Sequence, residues 1–239
     1  MDTNNTESTF ETLWNSTLWL LLFIVVLPLI SSFIFFISGL GYIFLDNEST
    51  FGQILDNLSY NLITSIISIM LLLPFIKHSL CAKNKSSIYS RLALKKISFY
   101  PLIISLVLVL ILSLLEYLLF SFGIIEPSSF MEELMAPIDT ILEAILLFFT
   151  IALIAPIFEE IIFRGIFFYQ LEQTSLSPSS IIIITSIIFT IVHVQYDQIE
   201  VYILVFISSC LLGGIRQLTG NLWYCIIGHI TMNTLALTS

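Results

Sequence analysis

Ala155-Pro156-Ile157-Phe158-Glu159-Glu160-Ile161-Ile162-Phe163-Arg164-Gly165 sets three formal charges inside an apolar run extending from Ile138 to Phe168. An ionised side chain surrounded by hydrocarbon costs a few kcal/mol, so charge in such a run is by default the mark of a functional site. The rest of the chain is their setting.

Composition identifies that setting. The 239 residues are 57% hydrophobic and only 10% charged, with a mean hydropathy of +1.02, whereas an ordinary soluble domain carries about 25% charge. The expected fold is therefore all-α: a polytopic transmembrane helical bundle embedded in the lipid bilayer. The net charge of -9 comes largely from acids in short segments between apolar runs, and nucleic acid is not an expected partner. Cys81, Cys210 and Cys225 have no CxxC spacing, so neither a disulfide framework nor a thiolate metal site is indicated.

The segment Met1 to Ser16 is polar and lacks Lys and Arg, unlike the positive start of a secretory signal, so the first apolar run is expected to be retained. That run covers Thr17 to Leu45, with Pro28 and Gly39 suggesting a kink or tilt. A polar turn from Asp46 to Asn57 leads to a second span, Leu58 to Ile76. Six of the eight basic residues follow it: Lys77, Lys83, Lys85, Arg91, Lys95 and Lys96. Basic residues stay on the cytoplasmic side, so the Lys77 to Lys96 loop is assigned to the cytoplasm. The third span, Ser98 to Ile125, then runs outward to the acidic connection Glu126 to Pro137.

The fourth element runs from Ile138 to about Gln170, roughly 50 Å as a helix and long for a hydrocarbon core of about 30 Å. Pro156 removes one backbone donor and is expected to kink or break it. Three further spans, Ile181 to Val194, Glu200 to Ile215 and Leu222 to Leu237, complete seven, or eight if the fourth breaks at Pro156. The division expected is 1–133 for the N-terminal helices and 134–239 for a catalytic core built on the last four elements. No internal repeat of the kind that builds transporters is visible.

Spacing then gives the chemistry. Glu160 and Arg164 are four apart with the acid first, the better orientation for an ion pair on one helix face. Glu159 is rotated by about 100° and cannot share that contact, which leaves it free to handle protons. On an antiparallel pair of helices, Glu159 and Glu160 lie roughly 16 residues before the turn near Thr174 to Ser177, and His193 roughly 17 after it, so they share a level. His229 and Asn233 stand nine and thirteen residues beyond Gly220, in the same zone and on one face. Glu159, Glu160, Arg164, His193, His229 and Asn233 thus converge. Taken singly, each has a simpler reading: a structural ion pair, inter-helix hydrogen bonds, or, for Asn233, helix–helix glue.

These residues resemble a family. Glu159-Glu160 with Arg164, Phe189 with His193, and His229 with Asn233 resemble the EExxxR, FxxxH and HxxxN motifs of the CPBP intramembrane proteases, also called the CAAX protease and bacteriocin-processing family. Ala155-Pro156, Gly213-Gly214-Ile215-Arg216 and Thr219-Gly220-Asn221-Leu222-Trp223 add to the likeness, which covers about Ile138 to Leu237. The resemblance implies a peptide hydrolase of a membrane, of bacterial cell type. Glu159 with His193 would activate water, Arg164 would hold Glu160, and His229 with Asn233 would stabilise the oxyanion. Its substrate would be a membrane-bound or prenylated peptide or protein, with bacteriocin self-immunity or pheromone processing as its setting.

The family has been described both as metalloproteases and as metal-free glutamate proteases, and the sequence leaves both open. Glu159, His193 and His229 could ligate a divalent metal such as Zn, yet there is no HExxH helix. Two other classes of function compete with hydrolysis: a non-catalytic scaffold regulating a partner such as a sensor kinase, which degraded motifs would favour, and a proton-coupled transporter, which repeated halves would favour. The motifs are intact and the repeats are absent. Oligomeric state is not encoded in any feature of the sequence.

Overall fold

The computed structural model describes Leu18 and residues 26–45, 57–81, 88–126 and 128–238. The polar start from Met1 to Ser16, the beginning of the first span, the turn at 46–56, and Lys83 and Lys85 of the basic connection lie outside these residues. Every regular element among the described residues is helical: α1 (Leu27–Leu45), α2 (Leu58–Cys81), α3 (Ile88–Arg91), α4 (Phe99–Ser121), α5 (Ser129–Met135), α6 (Ile141–Glu172), α7 (Pro178–Ile191), α8 (Ile199–Thr219) and α9 (Leu222–Thr238).

Length and apolarity make α4, α6 and α8 each capable of crossing a membrane. The 23 residues of α4 extend about 35 Å. Most of its side chains point away from the protein, Ile104 and Ile111 being 61% and 60% exposed. An apolar face of that extent is matched by lipid rather than water. The two ends of α4 differ in charge: Lys95 and Lys96 stand exposed before it, and Glu126, Glu132 and Glu133 exposed after it.

The long helix α6 begins on a capping box, in which Thr140 Oγ1 accepts from the Glu143 N–H and the Glu143 carboxylate accepts from the Thr140 N–H. These two reciprocal bonds satisfy backbone donors that a helix start leaves open. The backbone then stays helical through Pro156, so the break expected there as an alternative does not occur. Two turns of α6, Phe148–Ile154 and Ile161–Phe167, are π-helical, the wider winding in which each N–H reaches five residues back. Ala155 N–H bonds Thr150 O in this manner. The residue that would serve Ile151 O is Pro156, which has no N–H to offer. That carbonyl accepts instead from Asn233 Nδ2 on α9, at 2.9 Å. In the second π turn the N–H of Phe168 reaches Phe163 O and Gly165 O. It passes over Arg164 O, which accepts from Arg216 Nε on α8 at 3.0 Å.

The last helix is the hub, packing against α4, α6 and α8, while α7 lies along α8 and α1 packs on α2. The main core joins Phe158, Ile162, Phe163 and Phe167 of α6 to Val109, Phe189, Leu212 and Cys225. α8 ends at Gly220, whose φ of 57° is the left-handed conformation that suits glycine. The stretch before α4 is stitched onto the start of α9: Leu222 N–H donates to Ala93 O, and Ser98 N–H to the Tyr224 hydroxyl.

Close approach also fixes Gly165, where a Cβ would stand 2.8 Å from Leu92 Cδ2. Gly165→Ala is expected to cost about 1–3 kcal/mol through overpacking, seen as a lower unfolding midpoint in detergent. Gly41, around which a Cβ would meet nothing within 4 Å, supplies the control: Gly41→Ala should not lower that midpoint.

Candidate active site

The charged residues of α6 lie at the centre of the bundle. Glu160 and Arg164 are both fully buried, and Arg164 Nη1 donates to Glu160 Oε1 at 2.8 Å. The other end of the guanidinium, Nη2, donates to the backbone oxygen and the hydroxyl of Ser209 on α8, at 3.0 and 2.7 Å. Its plane lies over the Phe189 ring, 4.6 Å from the centroid, a cation–π contact worth up to about 2 kcal/mol when water is excluded. A buried charge survives only when paired and hydrogen-bonded, and Arg164 has both kinds of partner.

Glu160 Oε1 receives a second bond, from His229 Nδ1 on α9 at 2.9 Å. The opposite ring nitrogen, Nε2, faces Glu159 Oε2 at 3.8 Å, beyond hydrogen-bond range. Helix geometry explains the division: adjacent carboxylates point about 100° apart, so one imidazole on a neighbouring helix fits between them. Glu160 is fixed from two sides. The Glu159 side chain is 30% exposed, so it is the carboxylate that an incoming molecule can reach.

His193 lies past the end of α7, which stops at Ile191 rather than running to Val194. Here Val192 N–H bonds Ile188 O and His193 N–H bonds Thr190 O, which passes over the Phe189 carbonyl. His193 Nδ1 takes it, at 2.6 Å. A carbonyl can only accept, so Nδ1 carries the proton and a neutral ring presents Nε2 as its free lone pair. Phe189 separates the two imidazoles, its centroid 4.4 Å from that of His193 and 5.9 Å from that of His229.

The structure therefore brings Glu159, Glu160, Arg164 and His229 into direct contact, with His193 beside them across Phe189. Asn233 stands one turn further along α9, donating to Ile151 O. With one amide hydrogen so engaged, a second remains to donate.

Sequence reading passed over several neighbours. Ser209, inside an apolar helix, gave no signal. Glu116 on α4 did, as an ionisable residue in a span, and it accepts from the Ser208 hydroxyl at 2.9 Å. Tyr196, in the turn before α8, lies parallel to His193 with centroids 6.1 Å apart. Burial pushes its phenol above the ordinary value, and the negative charge of Glu159 pushes the same way.

A metal was an open question for Glu159, His193 and His229. Among the described residues no three His, Cys, Asp or Glu side chains converge closely enough to hold one. Nδ1 of each imidazole is held, on Glu160 and on Phe189 O, which leaves Nε2 as the nitrogen open to a ligand. As the side chains stand, Glu159, His193 and His229 are not gathered into a metal site, and no step of the chemistry is drawn through one.

The family model described as type II CAAX prenyl endopeptidase Rce1-like matches residues 141–235, a segment that begins with α6 and contains all six candidate residues. Over that segment the chain is similar to this endopeptidase family. Neither the curated proteins nor the solved structures yield a match.

Proposed function

We propose that the protein is a multi-pass intramembrane endopeptidase in which Glu159 is the general base. One observation carries this reading: Glu160 is committed to Arg164 and His229, whereas its neighbour Glu159 stays reachable beside the other nitrogen of His229. Glu159, with the free Nε2 of His193, takes a proton from water as the water oxygen bonds to the scissile carbonyl carbon. The resulting oxyanion is stabilised by Asn233 and by His229 Nε2, in the state where that ring holds both its protons. Collapse of the tetrahedral intermediate breaks the C–N bond, and the proton moves from Glu159 to the leaving amine.

The matched family's description, a prenyl endopeptidase, supports a membrane-bound or prenylated peptide or protein as the substrate. Processing or destroying a peptide pheromone or bacteriocin is a role of this kind. The α6 connection through Ser209, Asn233 and Arg216 keeps the site in the core of the bundle, so the peptide must approach on the Glu159 side.

The test is hydrolysis of a panel of membrane-anchored peptides by the purified protein in liposomes, run in ¹⁸O-water with and without a strong chelator. Cleavage that places ¹⁸O in the new carboxyl group and is unaffected by the chelator is the expected result. Cleavage lost to the chelator and restored by zinc would overturn the metal-free mechanism. Turnover that persists in Glu159→Ala would overturn the assignment of the base.

A further inference from the structure

The turn that carries His193 is held by more than helix α7. Tyr196 N–H bonds back to His193 O at 3.4 Å, folding the Tyr196 ring parallel to the imidazole, 5° from coplanar orientation. Two rings then meet Tyr196 edge-on. Phe130 of α5 does so at 5.8 Å and 89°, and Tyr202 of α8 at 6.4 Å and 89°. Edge-to-face and offset parallel pairs at these separations are the arrangements that aromatic quadrupoles favour. A second tie joins the same two segments, from the Ser129 hydroxyl to the Asp197 carboxylate at 3.3 Å.

Without these contacts His193 would be poorly fixed. Its backbone is outside the helix, and its side chain has one hydrogen bond, to Phe189 O. Rotation about the ring's attachment would break that bond and turn Nε2 away. Phe189 blocks one face of the ring, at 4.4 Å; Tyr196 lies on its parallel side.

We propose that Tyr196, backed by Phe130, is a positioning residue that holds the His193 imidazole in the orientation that presents Nε2 to the reacting water. This rests on the hydrolase reading above and adds to it a part supplied from outside the matched segment, since α5 precedes residue 141. The ring does the holding. The Tyr196 hydroxyl, bonded by the Gln195 side chain, is not required.

Two readouts test this, one of them independent of catalysis. The chain has three histidines, His78, His193 and His229, so ¹⁵N-histidine spectra of the whole protein in detergent resolve each ring. In wild type and Tyr196→Phe, His193 should show a single Nδ1–H tautomer. In Tyr196→Leu and Phe130→Ala it should show a mixture. In the peptide assay, Tyr196→Leu and Phe130→Ala should lower kcat roughly ten- to a hundredfold with KM little changed, because the misplaced group acts after binding. Tyr196→Phe should retain wild-type turnover.

An unaltered His193 tautomer in both Tyr196→Leu and Phe130→Ala overturns the proposal. So does a loss in Tyr196→Phe equal to that in Tyr196→Leu, which would give the role to the hydroxyl. Phe130→Ala lies outside the central core and keeps the test open if Tyr196→Leu fails to fold. If wild type cuts no peptide the hydrolase reading fails, and the spectra alone decide whether the brace exists.

Discussion

Glu159→Gln is expected to slow peptide hydrolysis by roughly 10²- to 10⁴-fold, the usual worth of a general base, while the protein keeps its fold. The side chain is partly exposed and lies 3.8 Å from His229 Nε2, so an amide of the same shape disturbs little packing. Substrate binding should be nearly unchanged, placing the loss in kcat. Glu160→Gln offers the contrast. Its carboxylate is fully buried and serves both Arg164 and His229, so the neutral amide leaves a buried guanidinium without its counter-charge. That variant should lose stability along with activity. Equal unfolding midpoints for the two variants would contradict the division of labour drawn between adjacent acids.

Arg164→Met should be the most destabilising single change, by about 3–5 kcal/mol, the cost of stranding one partner of a buried ion pair. Methionine fills part of the space but leaves Glu160 charged in the core and Ser209 without its donor. Cys225 is a suitable reporter, since its thiol is buried and bonded to Leu212 O. Its labelling by a thiol reagent on heating marks unfolding, and should begin at a lower temperature in Arg164→Met. Adding Glu160→Met to that variant should recover much of the loss, because removing both charges costs less than removing one. A double variant as unstable as Arg164→Met would mean that packing or the Ser209 bonds, rather than charge, hold these helices together.

Much of this geometry can be read from spacing. The i,i+4 rule pairs Glu160 with Arg164, the 100° step per residue separates Glu159 from that pair, and counting residues from the turns brings His229 to their level. Helix count and ends are harder. α7 stops at Ile191, where an apolar run continuing through Val194 suggests a longer span, because the decisive feature is a side chain, His193, capping the helix it follows. The short α5 is hidden in an acidic connection too short to read as a span. The π turns of α6 are invisible for a different reason. In a helix apolar on nearly every side, hydrophobic periodicity carries no phase, and one extra residue per turn leaves no trace. Tyr196 and Ser209 gain meaning only from what lies against them in three dimensions.

The two π turns carry a consequence for how the protein is made. Each leaves a carbonyl of α6 open, at Ile151 and at Arg164, and the side chains that close them, Asn233 and Arg216, belong to the last two helices. During synthesis α6 is made before the residues that carry those donors. An unsatisfied carbonyl in hydrocarbon is costly, and Pro156 leaves one open under either winding, Ile151 O in a π turn or Ala152 O in a regular α turn, so α6 depends on donors from outside itself. Arrival of α8 and α9 supplies Arg216 and Asn233 to these carbonyls and brings His229 to Glu160. A half-made chain thus carries the acids without the imidazole that meets them, and the constellation closes only with the last helix.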